Sequence, residues 1–421
     1  MTMTSATPAP AGATVPARPG PSPRRAQWTI MLLLSALTGL GPLSMDLYLP
    51  ALPAVAADLH AQASVTQLSV TACLAGMALG QLMIGPLSDR WGRRRPLLAG
   101  LACYAVATLA CALAPSAALL ITARLAQGLA AAAGIVIARA VLTDLHSDGR
   151  LARALSALAM ISGVAPVIGP VFGGQLLRLT DWRGVFAVLA AAGLALAVLS
   201  AWAIPETLPA ARRHRGGLTG TLRTMRSLLG DRGFAGALIA YGLISGTLFA
   251  YVAGFPFVVQ DTFGASAQTF SLIFGLNAAA LILAAHLNSR LIIGRIPLDR
   301  AVALGLTGIL AAVLTLLALV TPLVGGGLAA VAASQFAMMF FIGVITPNVT
   351  ALAMGSSGDT AGSASALIGA AQFLTGALTA PLAGLGGSHT AASMAAVEVV
   401  CAALALTAFH LMRRASVSSA A

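Results

Sequence analysis

Charge is scarce in this sequence. Only 9% of its 421 residues are Asp, Glu, Lys or Arg, and all 24 basic residues are arginine. A soluble chain carries about 25% charged residues, so water cannot be the solvent for most of this surface. Cysteine is equally sparse: Cys73, Cys103, Cys111 and Cys401 lie singly in apolar stretches, with no CxxC pair and no histidine cluster. That excludes a disulfide framework and a thiolate metal site, and no cofactor is expected. The phosphate-cradling GxxxxGK[ST] loop is missing, which removes ATP as an energy source. No HExxH, Asp-rich metal motif or paired nucleophile and base occurs within the apolar segments, so a membrane-embedded enzyme is not expected either. The formal charge of +12 is spread as short arginine clusters between apolar runs, not as one continuous face, which argues against a nucleic-acid partner.

What the sequence does have is length without charge. Uncharged runs of 20 residues lie between Arg25 and Asp46 and of 24 between Arg153 and Arg178. Runs of 28 follow Arg232 and Asp261, and one of 58 follows Arg300. A bilayer-spanning helix needs about 20 apolar residues, so the longest run must hold two. Charges, Gly/Pro turns and length together predict twelve membrane helices. They run roughly over 28–49, 65–87, 96–114, 118–140, 154–177, 184–204, 234–256, 269–290, 300–320, 327–349, 361–384 and 390–411. The divisions carrying fewest turn residues are Pro115–Ser116, Thr321–Pro322 and Gly384–His389. Residues 1–27, rich in Pro, Ala, Ser and Thr, form a flexible tail without the short apolar core of a cleaved signal peptide. Residues 205–233, with six arginines, divide the chain into six-helix units at 28–204 and 234–411, and 412–421 form a second tail.

The arginines also predict orientation. With the N-terminus inside, 21 of them fall on the tails and even-numbered loops, counting Arg139 at the end of helix 4. Only Arg178 and Arg183 fall outside, and Arg124 lies within helix 4. Short loops rich in Lys or Arg stay in the cytoplasm, so both termini are expected there, in a bacterial inner membrane.

Four segments carry chemistry. After helix 2 the chain reads Gly85-Pro-Leu-Ser-Asp89-Arg90-Trp-Gly92-Arg93-Arg94-Arg95. Gly85 allows close helix approach, Asp89 suits the positive end of a helix dipole, and the arginines can form charged hydrogen bonds across that face. A topology signal alone would need neither Asp89 nor the glycines. Helix 5 contains Gly163-Val-Ala-Pro166-Val-Ile-Gly169-Pro170-Val-Phe-Gly173-Gly174, where Gly169 and Gly173 stand one turn apart and the prolines permit a bend. Helix 4 carries Arg124-Leu-Ala-Gln127-Gly128. An arginine within a membrane costs at least about 2.5 kcal/mol on insertion scales, unless it snorkels to the outer surface. Helix 1 ends in Pro42-Leu-Ser-Met-Asp46-Leu-Tyr48-Leu-Pro50-Ala-Leu-Pro53. Asp46 is the acid placed well within a span in the first half, and a carboxylate facing a semi-apolar cavity can exchange protons near neutral pH; at the outer boundary it would simply be solvated.

The loop after helix 2 resembles the G-x-x-x-D-R-x-G-R-R/K signature of the major facilitator superfamily, in the position that family uses. Around Asn288, Arg290, Gly294 and Arg295 a degenerate echo follows helix 8, as two related halves require. The helix 5 string is similar to the G-x-x-x-G-P-x-x-G-G motif of that superfamily's drug antiporters, and the helix 4 string to the R-x-x-x-G element of its proton-coupled branches. The helix 1 string resembles D-x-Y-L-P-A-x-P of the bicyclomycin- and chloramphenicol-resistance (Bcr/CflA) branch. Ala361-Gly-Ser-Ala-Ser365-Ala-Leu-Ile-Gly369-Ala-Ala-Gln372-Phe looks like the same branch's helix 11 motif.

The resemblance implies an all-α membrane protein, two pseudo-symmetric six-helix bundles around a cavity open alternately to each side. It implies a monomeric exporter of small amphipathic compounds in exchange for protons. Export of a native metabolite and proton-coupled uptake on the same fold are the alternatives. Proton coupling would fall to Asp46 and Arg124. The switch would comprise Gly85, Asp89, Arg90, Gly92, Arg93 and Arg94, with Asp89 meeting the start of helix 11 near Thr360–Gly362. Helices 1, 4, 7 and 10 line the cavity in the family, which nominates Tyr48, Tyr241, Tyr251, Gln335, Phe336, Met339 and Asn348. Glu398 lies in helix 12, peripheral in that fold, where a buried structural partner is the expected role. His286 and His410, near cytoplasmic helix ends, are expected to be solvated.

Reporter fusions test the orientation. Those at Asp58, Asp181 and Asp261 should report the periplasm, and those at Arg150, Arg215 and Arg414 the cytoplasm. One reversed pair in mid-chain would refute the helix count.

Overall fold

A computed structural model describes residues 24–145, 149–213, 217–293, 295–321, 325–355, 361–386 and 390–418. Twelve long helices occur among these residues: α1 Arg24–Asp46, α2 Ala63–Trp91, α3 Arg94–Ala112, α4 Ala117–Leu145, α5 Gly149–Leu176, α6 Trp182–Ala203, α7 Arg232–Phe257, α8 Ala267–Leu287, α9 Leu298–Val320, α10 Leu328–Gly355, α11 Ala361–Ala383 and α12 Thr390–Ser418. Over the described residues, eleven membrane-length apolar segments are present; α5 has the length, and its segment Val164–Leu176 is apolar.

Local chemistry sets several helix starts. Asp181, Asp231 and Ser266 stand just before α6, α7 and α8, and their side chains accept from the backbone N–H of Gly184 (3.0 Å), Phe234 (2.8 Å) and Thr269 (3.1 Å). Such caps satisfy donors that helix geometry leaves unpaired. Proline punctuates the two halves in parallel: Pro42 and Pro256 lie in the last turns of α1 and α7, and Pro166 and Pro381 lie in α5 and α11.

Several boundaries differ from the sequence expectation. Helix α1 starts at Arg24, inside the expected tail, and stops at Asp46, not at residue 49. The chain continues as a 3-10 turn at Leu49–Ala51 and a short helix at Leu52–Asp58. Pro50 and Pro53 are the physical reason, since each withholds the N–H that a continuing helix needs. The polar interval 205–233 contains the helix Gly217–Gly230, and α12 runs on to Ser418.

Packing follows two related patterns. In the first half α2 lies on α4, α3 on α4 and α6, and α1 on α5; in the second α8 lies on α10, α9 on α10 and α12, and α7 on α11. The halves meet where α2 crosses α11 and α5 crosses α8, pairs exchanged by the pseudo-two-fold relation. Large apolar side chains such as Val106, Leu194, Trp202, Leu272 and Leu378 are exposed, as lipid-facing surface should be.

Small residues set the closest crossing. Gly76 and Gly80 of α2 face the backbone of α4 at Leu125 and Leu129, while Gly128 of α4 faces the Cys73 carbonyl of α2. A Cβ on Gly128 would overlap that oxygen and stand 2.8 Å from its carbon, and backbone cannot rotate away. Gly128→Ala should therefore destabilise the bundle by about 1–3 kcal/mol and lower its thermal midpoint in detergent. Gly39→Ala, with nothing within 4 Å of the added carbon, should not. Equal midpoints for the two variants would refute backbone contact as the basis of this crossing.

Candidate functional site

A cavity of about 680 Å³ lies between the halves. Helices α1, α2, α4, α5, α7, α8, α10 and α11 build its wall, and α3, α6, α9 and α12 contribute nothing to it. Much of the wall is apolar, from Met77, Ile135, Leu248, Phe249, Phe274, Met339 and Phe373 among others. Thr38, Gln81, Tyr241, Ser365 and Gln372 add polar groups, and the charged members are Asp46 and Arg139.

One end of the cavity is shut. At the arginine-poor face, three glutamines reach across the halves to backbone carbonyls. Gln67 donates to Ala253, Gln260 to Pro50 and Gln268 to Gly174, each at 3.1 Å. At the arginine-rich face the wall extends to Arg139, which is exposed, and to Thr350 and Met354 near the ends of α4 and α10. The cavity opens toward the arginine-rich side.

Asp46 stands at the closed end, 7% exposed, as the last residue of α1. The motif helix α5 places it. A Cβ on Gly169 would lie 2.7 Å from the Asp46 Cβ, and one on Gly173 would overlap the Leu47 carbonyl oxygen. Gly174 abuts Ser271 of α8 across the halves, and Pro166 lines the cavity itself. Gly163 and Pro170 lie on the same helix, Pro170 buried. No hydrogen bond or ion pair joins the Asp46 carboxylate to a described residue. It faces the cavity unpaired.

Arg124 is elsewhere. It is fully buried behind α1 and does not line the cavity. Its Nη1 donates to the Ser44 carbonyl (2.9 Å) and to Gln127 Oε1 (2.5 Å), and its guanidinium lies 5.0 Å from the Tyr48 ring centre and 5.6 Å from that of Phe186. Gln127 passes the network to Thr108 (2.8 Å), whose hydroxyl donates to the Tyr104 carbonyl (2.6 Å).

Of the nominated cavity residues, Tyr241 and Met339 are in the wall. The others are not, because each finds a partner inside a bundle or sits off the open space. The Tyr48 hydroxyl meets Ser69 (3.1 Å). The Tyr251 hydroxyl accepts from Asn277 (3.0 Å), and its ring stacks on Phe274. Gln335 Nε2 donates to both Glu398 oxygens (3.0 and 3.1 Å), which gives that buried acid its structural partner. Asn348 and Asn288 exchange two hydrogen bonds (3.2 and 3.0 Å). Phe336 is half-buried, one turn of α10 nearer the closed end than Met339. The sequence reading missed Arg139 as a cavity residue, placing it at the end of helix 4 and counting it with the charges of the following loop. Helix α4 runs on to Leu145, so Arg139 faces the cavity from within it. The unbroken apolar run Ala140–Leu142 was the signal that the helix continues.

The loop after α2 forms a charge hub. Arg93 donates from Nη1 to Asp89 (2.5 Å) and Ser88 (2.7 Å), and from Nε to Asp144 at the end of α4 (3.0 Å). Burial opposes the Arg93 charge, but hydrogen bonds and attraction from Asp144 and Asp89 outweigh it and hold the group above its usual pKa. Glu206, just after α6, accepts from the Arg93 and Arg94 N–H groups (2.8 and 3.3 Å) and pairs with Arg213 (3.7 Å). Gly92, at φ +91°, makes the turn, and a Cβ there would collide with Glu206. Gly85 has ordinary contact room, 3.9 Å to Val136, and Arg90 is exposed. The expected Asp89 partner region begins at Thr360, outside the described residues.

Comparisons with known proteins agree in kind. The family model described as Major Facilitator Superfamily matches residues 31–414. The chain is 41% identical over 384 residues to the uncharacterized MFS-type transporter YdgK of Bacillus subtilis, covering 90% of this chain and 94% of that one. It is 29% identical over 406 residues to the bicyclomycin resistance protein homolog of Haemophilus influenzae, covering 94% and 99%. It is also 32% identical over 243 residues to the multidrug resistance protein MdtL of Escherichia coli, covering 58% and 61%. Among solved structures, a bacterial homolog of the human lysosomal transporter Spinster, inward-facing and unoccupied, aligns with TM-score 0.74 at 15% identity over 93% of this chain and 98% of that one. The D-xylose-proton symporter aligns at TM-score 0.73 and 14% identity, over 90% and 97%.

The hub predicts an ordering of effects. The Asp144 side chain is 16% exposed and that of Asp89 47%. Asp144→Asn should therefore lower the thermal midpoint in detergent more than Asp89→Asn, with a loss of about 1–3 kcal/mol for removing the better-buried acceptor of a charge. A reversed order in paired melting curves would refute Asp144 as the main anchor of Arg93.

Proposed function

Because the chain belongs to the major facilitator superfamily, we propose that it exports small amphipathic compounds across a bacterial inner membrane in exchange for protons, as a multidrug efflux pump. Asp46 carries this reading. It is an unpaired carboxylate at the closed end of a largely apolar cavity, delivered there by the Gly/Pro-rich face of α5. In this reading the arginine-rich face is cytoplasmic, both termini lie there, and the cavity is open inward to its substrate. Mostly apolar walls with adaptable methionines and few polar groups suit recognition of varied amphipathic molecules. The names of the Haemophilus influenzae and Escherichia coli relatives support a resistance role.

The coupling step follows from charge. A carboxylate in low dielectric without a partner favours its neutral form, whereas an open aqueous path favours ionisation. Proton release and substrate entry thus compete at one end of one cavity, and each state of Asp46 prefers a different exposure. One charge moved through 100 mV supplies about 2.3 kcal/mol, enough for roughly a 50-fold gradient. Asp89, paired within its own half by Arg93, is placed to exchange that partner when the halves rock, which is the role proposed for the loop. Arg124 acts by holding the end of α1, so it positions Asp46 and does not itself carry the proton.

Expression in an efflux-deficient bacterium against a panel of toxic compounds and metabolites should identify substrates. With one of these, Asp46→Asn should abolish uphill, gradient-driven export while leaving downhill exchange or binding. Asp46→Glu should keep part of the activity. The decisive measurement is proton release from purified, detergent-solubilised protein on adding substrate. If Asp46→Asn releases protons like the wild type, Asp46 is not the coupling group.

A further inference from the structure

The cavity has a second charge that proton coupling does not use. Arg139 faces it from α4, six residues before that helix ends at Leu145. At 1.5 Å of rise per residue this is about 9 Å inside the helix end, and the side chain is turned to the cavity. The other arginines with described partners have acceptors. Arg93 holds Asp89 and Asp144, Arg183 holds Asp58, Arg213 holds Glu206, and Arg124 holds a carbonyl and Gln127. Arg139 donates no hydrogen bond and forms no ion pair among the described residues, and it shares the cavity wall with Tyr241 of the opposite half.

An arginine needed only for topology could sit on the lipid side and snorkel; this one projects into the space a substrate would enter. A guanidinium presents donors in a planar fork that matches a carboxylate bidentately. Between Arg139 at the open side and Asp46 at the closed end, Leu248, Phe249 and Met339 supply apolar wall. We propose that the cavity selects small amphipathic acids, with Arg139 binding the substrate's carboxylate and the apolar wall its body. A zwitterion could place its cationic end toward Asp46, and a plain cation would meet Arg139 repulsively on entry.

This rests on the cavity being the transport site, and its test needs no proton gradient, so it can fail or hold independently of the coupling role of Asp46. The probes are N-acetyl-phenylalanine and its neutral amide, which differ only in charge at one end. Binding to the purified full chain in detergent is measured by titration calorimetry. The wild type should bind the carboxylate at least about tenfold tighter than the amide, the preference expected of a charged hydrogen-bonded pair. Arg139→Gln should reduce that ratio to about one, and Arg139→Lys should restore part of it, which separates lost recognition from lost fold. Equal wild-type affinities, no binding of the carboxylate, or a preference that survives in Arg139→Gln would each overturn the proposal. The wild-type ratio decides the matter even if Arg139→Gln does not fold.

Discussion

The end of helix α1 is the constraint on which the site depends. A helix that stops within a membrane leaves carbonyls that water cannot reach, and each must find a donor in the protein. At Tyr48 the backbone N–H bonds Met45, not Ser44, so the Ser44 carbonyl loses its intrahelical partner. Arg124 supplies the missing donor, and a cation at a helix C-terminus is also favoured by the dipole. The Tyr48 and Phe186 rings lie against the guanidinium and temper its burial. Once the end is fixed, α5 can press Gly169 and Gly173 against Asp46 and Leu47, and the carboxylate is left pointing at open space. The buried arginine, the run of prolines and the glycine motif are therefore parts of one solution.

The charges sort themselves by the same logic. At the arginine-rich face Arg93 is held by two carboxylates and a hydroxyl, and Glu206 ties the segment after α6 to the loop after α2. Glu398 is buried in the second half against Gln335, away from the cavity. What remains unpaired in the cavity is one acid and one base, held on separate helices of the first half. A mostly apolar chamber with two such groups distinguishes ligands by the sign and spacing of their charge as well as by their greasiness.

Much of this was legible in the sequence. The helical, membrane-spanning class followed from uncharged runs that no aqueous core could accommodate, and the resemblance identified the superfamily from Asp89, Gly92 and Arg93 at fixed spacing. Asp46 was legible because an acid in an apolar run has few reasons to be there. Arg124 was half legible: its cost in the membrane was evident, but its acceptor, a backbone carbonyl 80 residues away, has no side-chain signature. Tyr48, Tyr251 and Asn348 were assigned to the cavity because their helices are, and a helix has two buried faces. Only the partners Ser69, Asn277 and Asn288 reveal which face each one occupies. Arg139 was missed because the expected helix stopped at residue 140, one position beyond it, whereas the helix runs on to Leu145 and keeps the side chain within the cavity wall.

In the proposed cycle the closed end is one that a modest energy source can open. The halves are held there by neutral glutamine-to-carbonyl bonds, with no ion pair among the described residues. Interhelical hydrogen bonds in membrane proteins average about 0.6 kcal/mol, so three amount to about 2 kcal/mol. One charge crossing 100 mV supplies about 2.3 kcal/mol. In that reading only the Arg93–Asp89 pair has to open, while the contacts of Arg93 with Asp144 and Glu206, confined to the first half and its linker, can persist when the halves move.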